Sequence, residues 1–429
     1  MARKMKDSGI EWIGEIPEGW EITRLKYLAD FEPTCDTSYL TDESEITYTP
    51  MECVKNGDFE NRSALYGNLS HTLTPFQNGD IAMAKVTPCF ENGNIAIMNN
   101  LFSGFGLGSS ELFIFRPKSI STRYLFYWLQ NKAFVARACS TMTGTGGLKR
   151  ISPSFIRNCP VHCPSMDEQT KISDYLKAKC SEIDTMLSKN RSSIEEYKKL
   201  KQAVITQAVT KGVRSEREMK DSGVEWIGEI PAEWSICPLK RLAAIQTGST
   251  PSKTSSESFY SSIAGTPWIK PDNLGFSSSI ETTAEFLTEE GCSVARTLPS
   301  NTVYVGCIGS RIGNCGYSLI PCACNQQINA LIFNARMYWK YGWYLTIFQE
   351  EQYMLLANGN VIQIINSTTQ GNISCIVPSI SEQREITAYL DAKCAEIDGL
   401  IVKKEQLVKE LESYKKSLIY EVVTGKREV

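Results

Sequence analysis

The chain states one pattern twice. Residues 5–12 read MKDSGIEW and residues 219–226 read MKDSGVEW, a displacement of 214 positions. The match continues through IGEIP at 13–17 and 227–231, fades, and returns with the same displacement. PSMDEQTKISDYLKAKCSEID at 164–184 answers PSISEQREITAYLDAKCAEID at 378–398, and AVTKG at 208–212 answers VVTGK at 422–426. Between these shared ends the two copies have little in common. A repeat at a fixed period constrains the whole fold, because each copy must build the same supersecondary unit. The layout predicts one scaffold built twice, holding two different variable modules.

A chain of 429 residues is long enough for two to four domains with real cores. The formal net charge of −3 removes a bulk signal for nucleic acid but leaves room for a local basic groove. Fifteen cysteines are scattered through both copies, and the N-terminal MARKMKDSGIEWIG has no apolar signal-like stretch. A cytoplasmic protein with free thiols is therefore expected rather than a secreted disulfide framework. No run approaches the roughly 18 apolar residues needed to span a bilayer. Cys322 and Cys324 lie two apart and His162 adjoins Cys163, but no matching second pair completes a zinc site, and His71 is the only other histidine. No metal is expected, and the cysteines are expected to be buried and structural.

Catalytic motifs are missing as well. There is no Walker A run, no G-x-G-x-x-G after a strand, no H-E-x-x-H and no Asn-Pro-Pro-aromatic signature of amino-group methyltransferases. GTGG at 144–147 is too short and follows a predicted helix. The chain is expected to be no enzyme and to bind no cofactor.

Along the chain, residues 1–20 read as an extended, irregular arm whose Trp12, Ile13, Ile16 and Trp20 pack on the body. IAMAKVT at 81–87, NIAIM at 94–98 and ELFIFRP at 111–117 have the length and residue types of strands. RYLFYWLQNKAFVARA at 123–138 predicts one helix with an apolar face. In the second copy, 301–309 and 328–334 predict strands and 337–349 a helix. The order matches the first copy, so the two variable modules are expected to share one fold with diverged loops. The domain bounds that follow are 1–163, 164–212, 213–377 and 378–429.

Residues 165–210 change character: the glycines vanish and the apolar spacing becomes helical. Leu176, Cys180, Ile183, Leu187, Asn190, Ile194, Tyr197, Lys201, Val204 and Ala208 form a seam at steps of four and three. Leu390, Cys394, Ile397, Ile401, Lys404, Val408, Leu411, Lys415, Leu418 and Val422 form its twin, with polar residues at the same two places. Forty helical residues span about 60 Å. So long a helix with charge on its other faces needs a partner, and the other copy supplies one. A pseudo-twofold relation between the copies predicts an antiparallel pair carrying the variable modules at opposite ends. Asn190 and Lys404 either set the register of that coiled coil or face water at a frayed stretch. The fold class is thus α+β: two mixed α/β domains joined by two long antiparallel coiled-coil helices.

SGIEWIGEIPEGWEI at 8–22 and SGVEWIGEIPAEWSI at 222–236 resemble the opening arm of the specificity subunit of Type I restriction–modification systems. EQTKISDYLKAKCSEID at 168–184 and EQREITAYLDAKCAEID at 382–398 resemble the start of that family's two long helices. GDIAMAKVTPCFENGNIAI at 79–97 is similar to a run found in many of its target recognition domains. Asn94 stands where lysine is common there, so no phosphate contact is assigned to it. GSTPSK at 248–253, PWIKPDNL at 267–274, GSRIGNCG at 309–316 and NQQINAL at 325–331 resemble another branch of recognition domain. The resemblance covers nearly the whole chain. It implies double-stranded DNA as ligand and assembly with two modification subunits, which bind S-adenosylmethionine and methylate adenine at N6. Two restriction subunits, driven by ATP with Mg, complete the cleaving complex. The specificity subunit itself chooses the DNA and has no catalysis. An interaction scaffold or orphan subunit that binds modification subunits without selecting DNA is the alternative.

Base pairs are read in the major groove by matching donors and acceptors: Asn or Gln with adenine, Arg or Lys with guanine. Phosphates are held by Lys, Arg, Ser and backbone N–H groups. In the first module the richest loop is TMTGTGGLKR at 141–150, with Thr143, Gly144, Thr145, Gly146, Lys149 and Arg150 as DNA-binding candidates. Lys85, Thr87, Asn92 and Gly93 lie around a turn between two strands, unless the TPCFENG run instead holds the fold. In the second module Ser249, Thr250, Ser252 and Lys253 make a phosphate-friendly loop. Lys270 and Asn273 flank a turn, and Ser310 and Arg311 follow a strand end. Asn325, Gln326 and Gln327 are three amides in a row. The counterpart of the first glycine loop is ANGNVIQIINSTT at 357–369, with Gln363 and Asn366 as candidates.

Overall fold

A computed structural model describes residues 3–55, 57–70, 72–145, 147–251, 258–275, 279–359 and 362–429. The chain divides into two compact units, Met1–Asn190 with Gln406–Val429, and Arg191–Glu405. The first unit is therefore built from both ends of the chain, the second from its middle.

The arm is more regular than its sequence suggested. Met5–Asp7 pairs with Glu15–Pro17, and Met219–Asp221 with Glu229–Pro231, each as a small antiparallel hairpin. Ile13, Ile16 and Trp20 are buried and Trp12 is half-buried. Each variable domain then leaves and returns through a two-stranded ribbon. Glu21–Arg24 pairs with Pro160–Cys163, and Ser235–Pro238 with Ser374–Val377.

Between the strands of each ribbon lie two sheets. In the first domain Ile95–Ile97, Ile81–Ala84, Leu112–Pro117 and Ala29–Phe31 follow one another, all antiparallel. The second sheet runs Arg62–Leu65, Glu45–Thr49, Phe105–Gly108, Thr74–Gln77, with its central pair parallel. The second domain repeats both orders, with one strand, Tyr260–Ser261, added at the edge of the second sheet. Its first sheet is Cys315–Ser318, Thr302–Gly306, Ile328–Phe333, Ala243–Thr247. Its other sheet keeps the parallel pair, here Thr266–Ile269 against Cys322–Cys324. Two diverged sequences thus make one topology. The single helix expected at 123–138 is two, Thr122–Trp128 and Lys132–Ser140. The break is made by Asn131, whose side chain caps the second helix by accepting from Phe134 N at 3.0 Å. Apolar periodicity runs across that break, which is why the pattern concealed it.

The long helices run Met166–Lys211 and Ile380–Val423. Ser165 and Ser379 begin them, each accepting at 3.3 Å from the N–H three residues on, that of Glu168 or Glu382. The S-x-x-E spacing is that of a capping box, but the glutamate does not fold back on the serine. Glu382 instead accepts from Trp234 Nε1 at 2.8 Å and pairs with Arg217; Glu168 accepts from Trp20 Nε1 at 3.0 Å and pairs with Arg3. Every one of these residues has its twin 214 positions away. The following glutamine secures the variable domain: Gln169 accepts from Ser121 N at 2.8 Å and Gln383 from Tyr338 N at 2.6 Å.

Within each unit, segments of the two long helices pair antiparallel. In the first unit Lys415 Nζ meets Asp184 at 2.6 Å, and in the second Lys201 Nζ meets Asp398 at 2.8 Å. The polar seam positions Lys201 and Lys415 are therefore the cross-helix ion pairs. Leu176, Cys180, Ile183 and Leu187 pack in one core with Leu418 and Val422. Ala208 packs with Leu390 and Cys394 in the other. Asn190 is buried, with Nδ2 donating to Met186 O at 2.8 Å, and Lys404 is half-buried. Two buried tyrosines close the units. Tyr124 donates to His162 O and Val423 O; Tyr341 donates to Ile376 O and Val209 O. The carbonyls of each pair again stand 214 residues apart.

The fifteen cysteines are free, ten of them buried, as the composition suggested. Phe90 is core, whereas Cys89 is half-buried. No group of three or more potential metal ligands occurs among the described residues.

Two consequences are measurable. Glu382 is almost fully buried beside Arg217, whereas the Glu168–Arg3 pair keeps more than a quarter of each side chain exposed. Removing one partner of a buried pair strands the other charge and costs about 3–5 kcal/mol, against about 0–1 kcal/mol for an exposed pair. Each substitution also strands a buried indole N–H, so Glu168→Ala is expected to lower the denaturant midpoint and Glu382→Ala to lower it further; equal shifts would contradict the burial difference.

The second concerns His162, which occupies the place of Ile376. Its Nε2 lies 2.6 Å from Val423 O, so Nε2 carries the proton, and Nδ1 is buried with no partner among the described residues. Burial lowers its pKa from the ordinary 6.5 to about 4. Above pH 6.5 the ring is neutral folded or unfolded. Between pH 6.5 and 4 only the unfolded chain takes up the proton, so stability falls, by about 3 kcal/mol in all. Between pH 7 and pH 5, denaturation is expected to show about 2 kcal/mol of this loss in the parent and not in His162→Ile. A variant with the parent's pH profile would exclude His162 as its source.

Candidate nucleic-acid interface

In the first domain the strand Ile81–Ala84 runs into a turn that carries the glycine loop. Val86 bridges Arg150, and Arg150 in turn bridges Thr143, making 143–150 a short hairpin. Thr87 pins it from below. Its N–H donates to Lys149 O at 2.9 Å, its hydroxyl donates to Gly147 O at 3.0 Å, and Lys149 N donates to that hydroxyl at 2.9 Å. Thr87 is buried, so it positions the loop from within rather than presenting a side chain to a ligand. Gly144 has φ +146°, and a Cβ there would run into the carbonyl oxygen of Leu148, so only glycine closes this hairpin.

Thr143, Thr145 and Lys149 are exposed on the hairpin; Gly146 lies outside the described residues. Arg150 is held by a two-pronged pair with Glu111 at 2.8 and 2.9 Å. That pair lowers the Glu111 carboxyl below its ordinary range, chiefly through the hydrogen bond from Arg150. Partly exposed pairs contribute about 0–1 kcal/mol, so the guanidinium can exchange this carboxylate for another acceptor at little cost. Its fork geometry suits phosphate or the O6/N7 edge of guanine. Lys85 is half-buried with Nζ 5.5 Å from the Phe113 ring centroid. Asn92 and Gly93 belong to a turn folded over buried Phe90: Asn92 N donates to Pro88 O and Gly93 N to Phe90 O. The hydrogen bonds of the TPCFENG run are those of a structural turn.

The second domain builds the same device from different residues. Ile308, just past the strand Thr302–Gly306, bridges Ile364, which bridges Asn358. Gly359 has φ +146°, and a Cβ there would meet the carbonyl oxygen of Ile362. Gly309 N donates to Gln363 O at 2.9 Å, as Thr87 N does to Lys149 O. The counterpart expected at 357–369 is thus present, and Gln363 stands in the register of Lys149. Asn366 is an N-cap: its side chain accepts from Thr369 N at 2.8 Å at the start of Ser367–Gly371.

The remaining candidates are linked to one another through the amide run. Cys307 N donates to Gln327 O at 2.9 Å, and Asn325 N to Ile269 O at 3.1 Å, which joins the amide run to the 270–273 turn. Arg311 reaches Asp272 at 3.2 Å beside exposed Ser310. Asn273 Oδ1 accepts from Lys270 N, and Lys270 Nζ pairs with Glu285 at 2.8 Å over the Trp268 ring. Ser249 N donates to Cys324 O at 2.9 Å, and Thr250 donates to Gln326. Ser252 and Lys253 lie outside the described residues.

Three features escaped the sequence. Arg296 packs on the 248–250 loop, its Nη1 donating to Thr247 O at 2.9 Å and its N–H to Ser249 Oγ at 3.0 Å. Nothing in a lone arginine so far along the chain signals that contact. Glu111, the partner of Arg150, was read only as part of a strand. Leu148, Ile362 and Ile364 are aliphatic side chains left in solvent on the hairpins; an alignment of the two glycine loops would have paired Leu148 with Ile362.

With this geometry described, comparisons supply its context. The family model for the Type I restriction modification DNA specificity domain matches residues 17–196 and again 231–410, together well over half of the chain. The EcoAI specificity subunit of Escherichia coli is 34% identical over 196 residues, 44% of this chain and 33% of that protein. The chain therefore matches about a third of that relative's length. The MjaVIII specificity subunit of Methanocaldococcus jannaschii is 25% identical over 434 residues, 96% of this chain and 93% of that protein. Among solved structures, a chain from a study of assembly and conformational transition of the type I R-M system has the same fold, with a TM-score of 0.74 at 16% identity, covering 95% of this chain and 98% of that one. The HsdS subunit from Thermoanaerobacter tengcongensis superposes with a TM-score of 0.50 at 16% identity, covering 96% and 98%. The chain belongs to the family of specificity subunits of Type I restriction–modification systems.

Proposed function

We propose that this chain selects the DNA target of a Type I restriction–modification complex, one half-site per variable domain, and leaves the chemistry to its partners. The observation that carries the proposal is the matched pair of hairpins. Identical backbone devices present Lys149 and Arg150 in one domain and Gln363 and Ile364 in the other. Equivalent seats with different side chains read different base pairs. The target is then an asymmetric bipartite sequence with a non-specific spacer, since identical readers on a duplicated scaffold would demand a palindrome.

The partners are double-stranded DNA, two modification subunits and two restriction subunits. S-adenosylmethionine, ATP and Mg belong to those subunits, which methylate adenine at N6 and cleave. The site of action is the cytoplasm; no helix among the described residues is long and apolar enough to cross a membrane. The pairing of Arg150, Lys270 and Arg311 with carboxylates, and a net charge of −3, limit the phosphates this chain neutralises by itself.

The chain alone is expected to bind DNA weakly and to gain specificity when modification subunits are added. Titrations at one stated salt on cognate and scrambled duplexes test this; equally tight and specific binding by the isolated chain would refute it. Replacing residues 21–163 with the first domain of another family member is expected to change one half of the methylated motif, as read by methylome sequencing. A palindromic motif, or a swap that alters both halves, would overturn the two-reader account. In the same complex, Lys149→Ala or Arg150→Ala is expected to cost about 1–3 kcal/mol of discrimination at one base pair where the side chain reads guanine. Where it holds a phosphate, binding falls evenly across sequences with a shallower salt dependence.

A further inference from the structure

The two hairpins share a backbone but not a chemistry. Register fixes the comparison: Arg150 and Ile364 hold the bridging positions, Lys149 and Gln363 supply the carbonyl that pins the turn, and Leu148 and Ile362 supply the carbonyl that confines the glycine. The first hairpin therefore offers two cations behind one aliphatic tip. The second offers two aliphatics around one amide. Ile362 is 57% exposed and Ile364 45% exposed among the described residues. Ile364 holds the bridge to Ile308 and Asn358, and Ile362 stands two residues before it. A ligand with an apolar feature that covered them would remove this surface from water, which favours binding.

The first hairpin indicates what that ligand is. At the same register it presents the residue types that meet phosphate and guanine, so the second faces the same duplex. In the major groove the apolar feature of a base pair is the thymine C5-methyl group. We propose that Ile362 and Ile364 of the second domain recognise thymine methyl groups, so that this half-site is read through A·T pairs. The proposal rests on the reading of the hairpins as DNA-facing.

The test uses the assembled complex with its modification subunits. The methylated motif is first mapped, and the half belonging to the second domain is assigned by the domain swap. Each thymine of that half is then replaced by deoxyuridine, which removes only the methyl group. Affinity is expected to fall roughly three- to fivefold per contacted methyl, the worth of one buried methyl group. An Ile362→Ser, Ile364→Ser double variant should bind the thymine and deoxyuridine duplexes alike, while still discriminating in the first half. A parent complex that does not distinguish them, or a distinction that survives in the double variant, overturns the proposal. So does a second half without thymine. Loss of co-purification with modification subunits in the double variant would make the pair a protein contact and overturn it equally. A complex that selects no sequence defeats the underlying function, whereas one that selects its sequence but ignores the methyl groups defeats this inference alone.

Discussion

A carboxylate in the first turn of each long helix ties together three distant pieces of chain. Glu168 and Glu382 each take an indole N–H and a guanidinium from the arm, at the helix end where partial positive charge favours an anion. The arm is thereby fixed to the helix, the ribbon that follows the arm is fixed to the arm, and the variable domain is suspended from the ribbon. The neighbouring glutamines hold the domain's own backbone. The loops that differ most between the copies lie beyond this joint, free to vary without disturbing the scaffold.

The second constraint is the seam. Its apolar positions are interrupted at Asn190 and Lys404 and at Lys201 and Lys415, and each of the latter two lysines crosses to an aspartate of the other helix. Such pairs contribute little energy but disfavour slippage, since a shift by one heptad would separate charges that now touch.

Much of this was legible in the sequence because it was written twice. The seam periodicity, the antiparallel pairing, the shared topology and the correspondence of the glycine loops all follow from spacing that the copies repeat. The break at Asn131 was not legible, because apolar residues continue through it and the cap is a single amide. The arm's hairpins were not, because their strands are three residues long. At the interface, residue type located the loops but not the duties within them. Thr87 and Asn366 look like ligand-binding polar residues in a sequence, yet both spend their hydrogen bonds on the backbone. Arg150 looks free, yet it is matched to a glutamate 39 residues earlier. Such distinctions depend on which polar group the fold brings opposite, and local pattern does not contain that.

The buried tyrosines have a further consequence, for vectorial synthesis. Tyr341 closes on Val209, and the second unit, 191–405, is one contiguous stretch. Tyr124 closes on Val423, and the first unit's core needs Leu418, Ile419, Val422 and Val423. A ribosome therefore makes nearly all of the first unit early but cannot supply its last wall until Leu418, Ile419, Val422 and Val423 have been added. The middle of the protein can complete its core while the beginning still waits, an inversion of the usual amino-to-carboxyl order of domain folding.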